Sequence, residues 1–175
     1  SCDLIMNISK QTVSIVKEVA KNKPRTDWDN TYIPHGINEK IFYPIDKFSD
    51  EYRQVEAMRK QLTDDKVEFI VFYNNRNIRR KLTGDVIMAF NHFCDQLPKE
   101  KADKCCLLMH TQPRDENGTD LPVVAERIAP GRKVYFSDRK LEPNQLNHLY
   151  NIADVTINMA SNEGFGLGTC ESLMA

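Results

Sequence analysis

The chain has 175 residues, 41% hydrophobic and 28% charged, enough to bury a core in one domain or one and a fraction. Its 24 basic and 25 acidic residues leave a net charge of −1, so there is no global electrostatic case for nucleic acid or an anionic membrane. No apolar run reaches bilayer-spanning length and no amino-terminal signal peptide is visible. The cysteines (Cys2, Cys94, Cys105, Cys106, Cys170) include no C-x-x-C pair, and on a strand Cys105 and Cys106 point to opposite faces. Buried, reduced thiols in a cytoplasmic protein are therefore expected.

In chain order, Asp3 to Ile8 reads as a strand, Ser9 as an N-cap and Gln11 to Ala20 as a helix. Lys21 to Asn30 is polar and loop-like, and Thr31-Tyr32-Ile33 leads into a Pro34-His35-Gly36 turn. Asp50 to Leu62 is polar with helical character. From Val67 the pattern changes. Val67 to Tyr73 is β-branched and aromatic, a strand, and Asp85 to Leu97 carries Val86, Ala89, Phe90, Phe93 and Leu97 at helical spacing. Cys105 to Met109 is a second strand. Asp120 to Ala129 is a short helix capped by Thr119 or Asp120 and closed before Pro130-Gly131. Lys133 to Phe136 is a third strand, and Pro143 to Ile152 a helix with Leu146, Leu149 and Tyr150 on one face. Val155 to Met159 is a fourth strand, and a helix begins at Thr169.

This alternation predicts an α/β fold: a Rossmann-like parallel sheet with helices on both faces and right-handed crossovers. Ligands of such sheets bind beyond the carboxyl ends of the strands. There the chain places Ser161-Asn162-Glu163-Gly164-Phe165-Gly166-Leu167-Gly168-Thr169-Cys170-Glu171, in which two carboxylates bracket three glycines. Glycine lets the backbone approach a ligand closely, and a helix starting inside the segment offers N–H groups to an anion. A sugar nucleotide has a diphosphate for the amides and hydroxyls for the carboxylates. Read by itself, the segment is equally a Gly-rich turn flanked by solvated glutamates.

The basic run Arg76-Asn77-Ile78-Arg79-Arg80-Lys81 admits three readings: a diphosphate site, a solvated face, or a nucleic-acid patch, the last weakly supported without an aromatic platform. Arg79 and Arg80 read as surface residues. His35 reads as a hinge or turn residue, and His92 and His148 as helix-surface residues. His110 ends the second strand at the cleft mouth, where it lines the pocket or serves as a hydrogen-bonded loop histidine.

Glu163-x7-Glu171 around Gly-Phe-Gly resembles the signature of retaining glycosyltransferases of the two-domain GT-B architecture, family 4 (glycosyl transferases group 1). Other landmarks agree in order: Ile33-Pro34-His35-Gly36-Ile37-Asn38 with Phe42 and Pro44, then Arg76 and Lys81, then Leu149 to Val155. The resemblance implies residues 1–45 as the end of an acceptor domain with its linker. Residues 46–175 would be a nucleotide-sugar donor domain cut short at its C-terminus, inactive by itself.

It further implies transfer of a hexosyl group from a UDP-, GDP- or ADP-sugar to a carbohydrate, lipid or protein acceptor, with retention of anomeric configuration. The implied catalytic residues are Glu163, on the donor sugar, with Arg76 and Lys81 on the diphosphate. Glu171 would hold the ribose. Gly164, Phe165, Gly166 and Leu167 would face sugar and phosphate, and Ser137, Asp138, Arg139 and His110 would line the donor pocket. No metal or other cofactor is implied, because Arg76, Lys81 and helix amides supply the positive potential. The resemblance allows peripheral membrane contact for a full-length enzyme, while the charge balance argues against a nucleic-acid partner and the reduced thiols for a cytoplasmic location. A non-catalytic sugar-nucleotide-binding module and a nucleotide-sugar epimerase are the alternatives. A phosphorylase lacks a pyridoxal-phosphate lysine context here. The chain departs from the pattern at Asn75 and Leu82, where glycine is usual, and at Gly168, where proline is frequent.

Overall fold

The computed structural model describes residues 3–22 and 28–175. A small unit comes first: β1 (Leu4–Asn7), α1 (Lys10–Ala20) and β2 (Asp29–Tyr32), with β1 and β2 paired in parallel. Ser9 caps α1, its hydroxyl accepting from the Thr12 amide at 3.0 Å. Residues 23–27 of the expected polar loop, and Cys2, lie outside the described residues.

The larger unit runs α2 (Asp50–Leu62), β3 (Phe69–Asn74), a 3-10 turn at Arg79–Lys81, α3 (Thr83–Asp95), α4 (Lys99–Ala102) and β4 (Cys105–His110). It continues through α5 (Leu121–Ile128), β5 (Lys133–Ser137), α6 (Pro143–Ile152), β6 (Val155–Thr156) and α7 (Leu167–Met174). The sheet order is β5-β4-β3-β6 and every pairing is parallel. The Rossmann-like α/β architecture expected from the alternation is therefore what the chain forms.

Period-two alternation sorts the sheet's side chains into two cores. Val71 and Tyr73 of β3 join Cys105, Leu107 and Met109 of β4 under α3 and α5, with Val86, Ile87, Phe90 and Leu121. Ile70 and Phe72 join Cys106 and Leu108 on the other face, under α2 and α6, with Val55, Leu149 and Tyr150. Cys105 and Cys106 face opposite ways, as their adjacency required. The described thiols are free, and burial pushes Cys94 to about 11 and Cys106 to about 12, so neither is a ready nucleophile. Phe42 and Ile45 already belong to the second core.

Three sequence expectations are corrected. The fourth strand ends its ladder at Thr156 rather than Met159, because β6 is an edge and Asn158 turns to bond the Ala160 amide and Thr169. Ile157 still donates to the Phe72 carbonyl at 2.8 Å. The last helix starts at Leu167, not Thr169, because Gly166 adopts φ +88° and turns the chain directly into it. His148 is buried rather than on a helix surface: α6 lies between sheet and linker, and the His148 ring sits 3.2 Å from Glu51 of α2.

Helix α6 also holds the linker. Asn151 accepts from the Ile45 amide at 2.7 Å and donates to the Tyr43 carbonyl at 3.1 Å. Asn147 bonds the Tyr43 amide and carbonyl. The Asp154 carboxylate accepts from the Ile70 amide at 2.7 Å, joining the start of β6 to β3. The Leu149 to Val155 stretch is thus a brace for the sheet.

Candidate functional site

Strands β3, β4, β5 and β6 end on one side of the sheet, and the Gly-rich segment crosses their mouth. A cleft of about 300 Å³ opens there, lined by Asn74, Asn75, Lys81, Thr156 to Asn158 and Glu163 to Thr169. Ile8 and His35 line it from the opposite side. The ring of His35 stands edge-on to Phe165 at 5.3 Å, so the small unit and linker touch the Gly-rich turn directly.

Lys81 and Glu163 meet in this cleft. The Lys81 ammonium donates to both carboxylate oxygens of Glu163, at 2.5 and 2.6 Å. Lys81 is buried, 8% exposed, although it belongs to a charge run that composition would put in solvent. Arg80 donates to Glu163 at 3.3 Å and to the Asn162 carbonyl at 2.9 Å, so it is drawn into the site rather than left on the surface. Asn158 adds a bond to Glu163 at 3.4 Å and one to Thr169 at 3.1 Å. Burial pushes the Glu163 carboxyl up, but the Lys81 bond and charge, with Arg80 and Asn158, outweigh it and hold the group below its usual range. Glu163 is therefore ionised at neutral pH, with a cation on it.

The backbone around Lys81 is strained. Leu82, one of the departures from the resembled pattern, is the one non-glycine residue with positive φ among those described, at φ 51° and ψ 42°. The left-handed region costs a branched side chain about 1–2 kcal/mol. That turn converts the 3-10 segment into α3 and aims Lys81 inward. Asn75, the other departure at a glycine position, has no positive φ. Gly166 does need glycine's freedom: at φ +88° the space around it is open, so conformation alone selects the residue. It caps α7, whose first turn lines the cleft through Leu167, Gly168 and Thr169 and presents amino-terminal amides to it.

Glu171 lies in the second turn of α7. Its carboxylate accepts from the Tyr150 hydroxyl at 2.8 Å, and that hydroxyl accepts from the Asn74 amide at 2.8 Å. Asn74, His110 and Ser137 form one register row across the ends of β3, β4 and β5. His110 Nδ1 is 3.1 Å from the Ser137 hydroxyl, and burial lowers the ring's tendency to protonate.

Other expected residues stand apart, and neither Glu171 nor His110 is among the residues that line the cleft. Arg76 does not line the cleft; its half-exposed guanidinium forks Asp115 at 2.8 and 3.2 Å. Beside it, buried Asn77 donates to the Gln112, Pro113 and Thr119 carbonyls and fixes the loop that carries Asp115. Gly118 is obligatory in that loop, because a Cβ there would stand 2.1 Å from the Asn77 carbonyl oxygen. Ser137, Asp138 and Arg139 line a separate cavity of about 430 Å³ beside Met58 and Gln145. Among the described residues, no group of three His, Cys, Asp or Glu side chains is placed to hold a metal, and no helix is long and apolar enough to cross a membrane. Asn74, Tyr150 and Asn158 carry contacts that sequence reading missed. The partners of Asn74 and Tyr150 are far away in sequence, while those of Asn158 lie within the Gly-rich segment that follows it.

The parallel α/β fold has known counterparts. No family model matches the chain. Alpha-monoglucosyldiacylglycerol synthase of Acholeplasma laidlawii is 30% identical over 152 residues, 85% of this chain and 35% of that protein. The chain thus spans about a third of the length of the curated relative it matches. The C-terminal domain of a glycosyl transferase group 1 family protein from Francisella tularensis superposes with a TM-score of 0.58 at 19% identity, over 80% of this chain and 67% of that one. A trehalose-6-phosphate structure from E. coli, bound with UDP-2-fluoro glucose, superposes with a TM-score of 0.69 at 14% identity, over 98% of this chain and 43% of that one. The parallel α/β sheet with its flanking helices is a GT-B-like Rossmann fold, the architecture of these glycosyltransferase structures.

Proposed function

We propose that the chain is the donor-binding part of a retaining glycosyltransferase of family 4 type, moving a hexosyl group from a nucleotide-diphosphate sugar to an acceptor. The observation that carries this reading is the Lys81–Glu163 pair, held at the mouth of the parallel sheet against the Gly166 turn and the start of α7. A buried cation next to helix amides suits a diphosphate; an ionised carboxylate beside it suits sugar hydroxyls, gripping a diol with both oxygens. Lys81 exchanges part of its contact with Glu163 for phosphate oxygens when the donor enters. Arg80, already at the site, shares the role first assigned to Arg76 and joins it if the Asp115 contact is released.

In the transfer step the bond from the anomeric carbon to the phosphate oxygen breaks while the acceptor oxygen bonds that carbon on the same face. The acceptor's hydroxyl proton passes to the leaving phosphate. Lys81, Arg80 and the α7 amides stabilise the charge that develops on the diphosphate. Glu163 orients the hexose and Glu171 holds the ribose. The similarity to a lipid glucosyltransferase makes a lipid acceptor, and hence peripheral membrane contact, part of this reading. Residues 1–45 would belong to the acceptor side and 46–175 to the donor side.

Titration calorimetry with UDP, GDP and ADP and their sugar conjugates tests the reading. One nucleotide series is expected to bind, with Lys81→Ala weakening it about tenfold or more and Glu163→Ala weakening only the sugar conjugates. Binding by none of them to a folded protein would overturn it.

A further inference from the structure

We propose that Tyr150, braced by Asn74, is a positioning residue that sets the Glu171 carboxylate and thereby selects ribonucleotides over analogues lacking the sugar hydroxyls. The inference rests on the nucleotide-binding reading above and adds the device by which the second glutamate is held. Three facts carry it. The Tyr150 ring is nearly fully buried and stands edge-on to Phe72 and Phe42, with centroids at 5.3 and 6.0 Å, so the hydroxyl has one place to be. That hydroxyl receives the Asn74 amide and gives its own proton to Glu171, both at 2.8 Å. Asn74 is fixed in turn by the end of the β3–β4 ladder, opposite His110.

The direction of these bonds follows from valence. A phenol has one proton; facing the amide oxygen and the carboxylate together, it could satisfy only one of them. With the Asn74 nitrogen toward it, the phenol accepts one bond and donates the other, and every group is satisfied. Burial also pushes the Tyr150 phenol up, so it keeps its proton at any physiological pH. The bond occupies one carboxylate oxygen of Glu171 and fixes the plane of the group. A vicinal diol can then be met by an acceptor already oriented for it, without loss of rotamer freedom on binding. The start of α7 lies close to this cluster: a Cβ at Gly168 would be in ordinary contact with it, 3.5 Å from the Tyr150 hydroxyl and 3.4 Å from the Asn74 carbonyl oxygen.

The test compares UDP, GDP and ADP with their 2′,3′-dideoxy counterparts by calorimetry on the full chain, as wild type, Tyr150→Phe, Glu171→Ala and the double variant. Wild type is expected to prefer the ribonucleotide. Tyr150→Phe should weaken ribonucleotide binding about tenfold, the scale of one charge-assisted hydrogen bond, and leave the dideoxy probe unchanged. In the Glu171→Ala background the same change should cost nothing further, because Tyr150 acts through that carboxylate. If Tyr150→Phe weakens both probes equally, or costs as much without Glu171 as with it, Tyr150 is merely structural and the inference falls alone. Wild type binding no nucleotide would overturn the reading of the whole site, and this inference with it. Should Tyr150→Phe unfold, Asn74→Ala, which removes the brace and leaves the ring, must show the same ribose-selective loss.

Discussion

Leu82 is where the residue scale is most informative. Its left-handed backbone turns Lys81 into the cleft, and a branched side chain holds a conformation that glycine would adopt without strain. Leu82→Ala keeps the strained backbone and loses side-chain packing. Leu82→Gly loses the packing, carries a greater entropy of the unfolded chain and relieves the strain. Urea unfolding should therefore find the glycine variant the more stable of the two, by about 1 kcal/mol. An alanine variant more stable than the glycine one would show that the turn is not strained enough to outweigh the entropy glycine adds to the unfolded chain. Lys81 itself shows how a charge run can mislead. A solvated face is one of three readings of Arg76 through Lys81; the 3-10 turn buries its last member on Glu163 and leaves Arg76 outside on Asp115.

Among the elements, α6 does more than cover the sheet. Its apolar face supplies Leu149, Tyr150 and Ile152 to the core, while Asn147 and Asn151 replace the missing partners of the linker backbone at Tyr43 and Ile45. Tyr150 on the same helix reaches Glu171 of α7. Asn151→Ala leaves the Ile45 amide and part of the Tyr43 carbonyl unsatisfied, which costs about 1–3 kcal/mol. Thermal unfolding should show that loss, and an unchanged midpoint would mean the linker is not held by this helix. The strand–helix alternation was legible because β-branched runs and the i, i+3, i+4 spacing are local signals. The early end of β6 was not, since it depends on Asn158 finding Thr169 across the cleft. Nor was the burial of His148, whose partner Glu51 lies on a helix far away in sequence.

At the scale of the whole molecule, two β-α-β systems meet at one cleft. The larger sheet brings strand ends, Lys81 and the Gly-rich turn; the small unit and linker bring Ile8 and His35 to the other side. The place of the site was legible in the sequence, because a Gly-rich turn after the fourth strand of an alternating pattern can only lie at the carboxyl ends. Its internal wiring was not: Asn74, Tyr150 and Glu171 are joined by hydrogen bonds that only tertiary packing creates. The cleft is proposed to hold a sugar nucleotide with its diphosphate at Lys81 and its sugar at Glu163. A crystal soaked with a mixture of UDP-, GDP- and ADP-sugars tests it most directly. The expected density is one donor, its phosphates on Lys81 and the first amides of α7, its hexose on Glu163 and its ribose on Glu171. A donor bound elsewhere on the molecule, with the Lys81–Glu163 pair undisturbed, would contradict it.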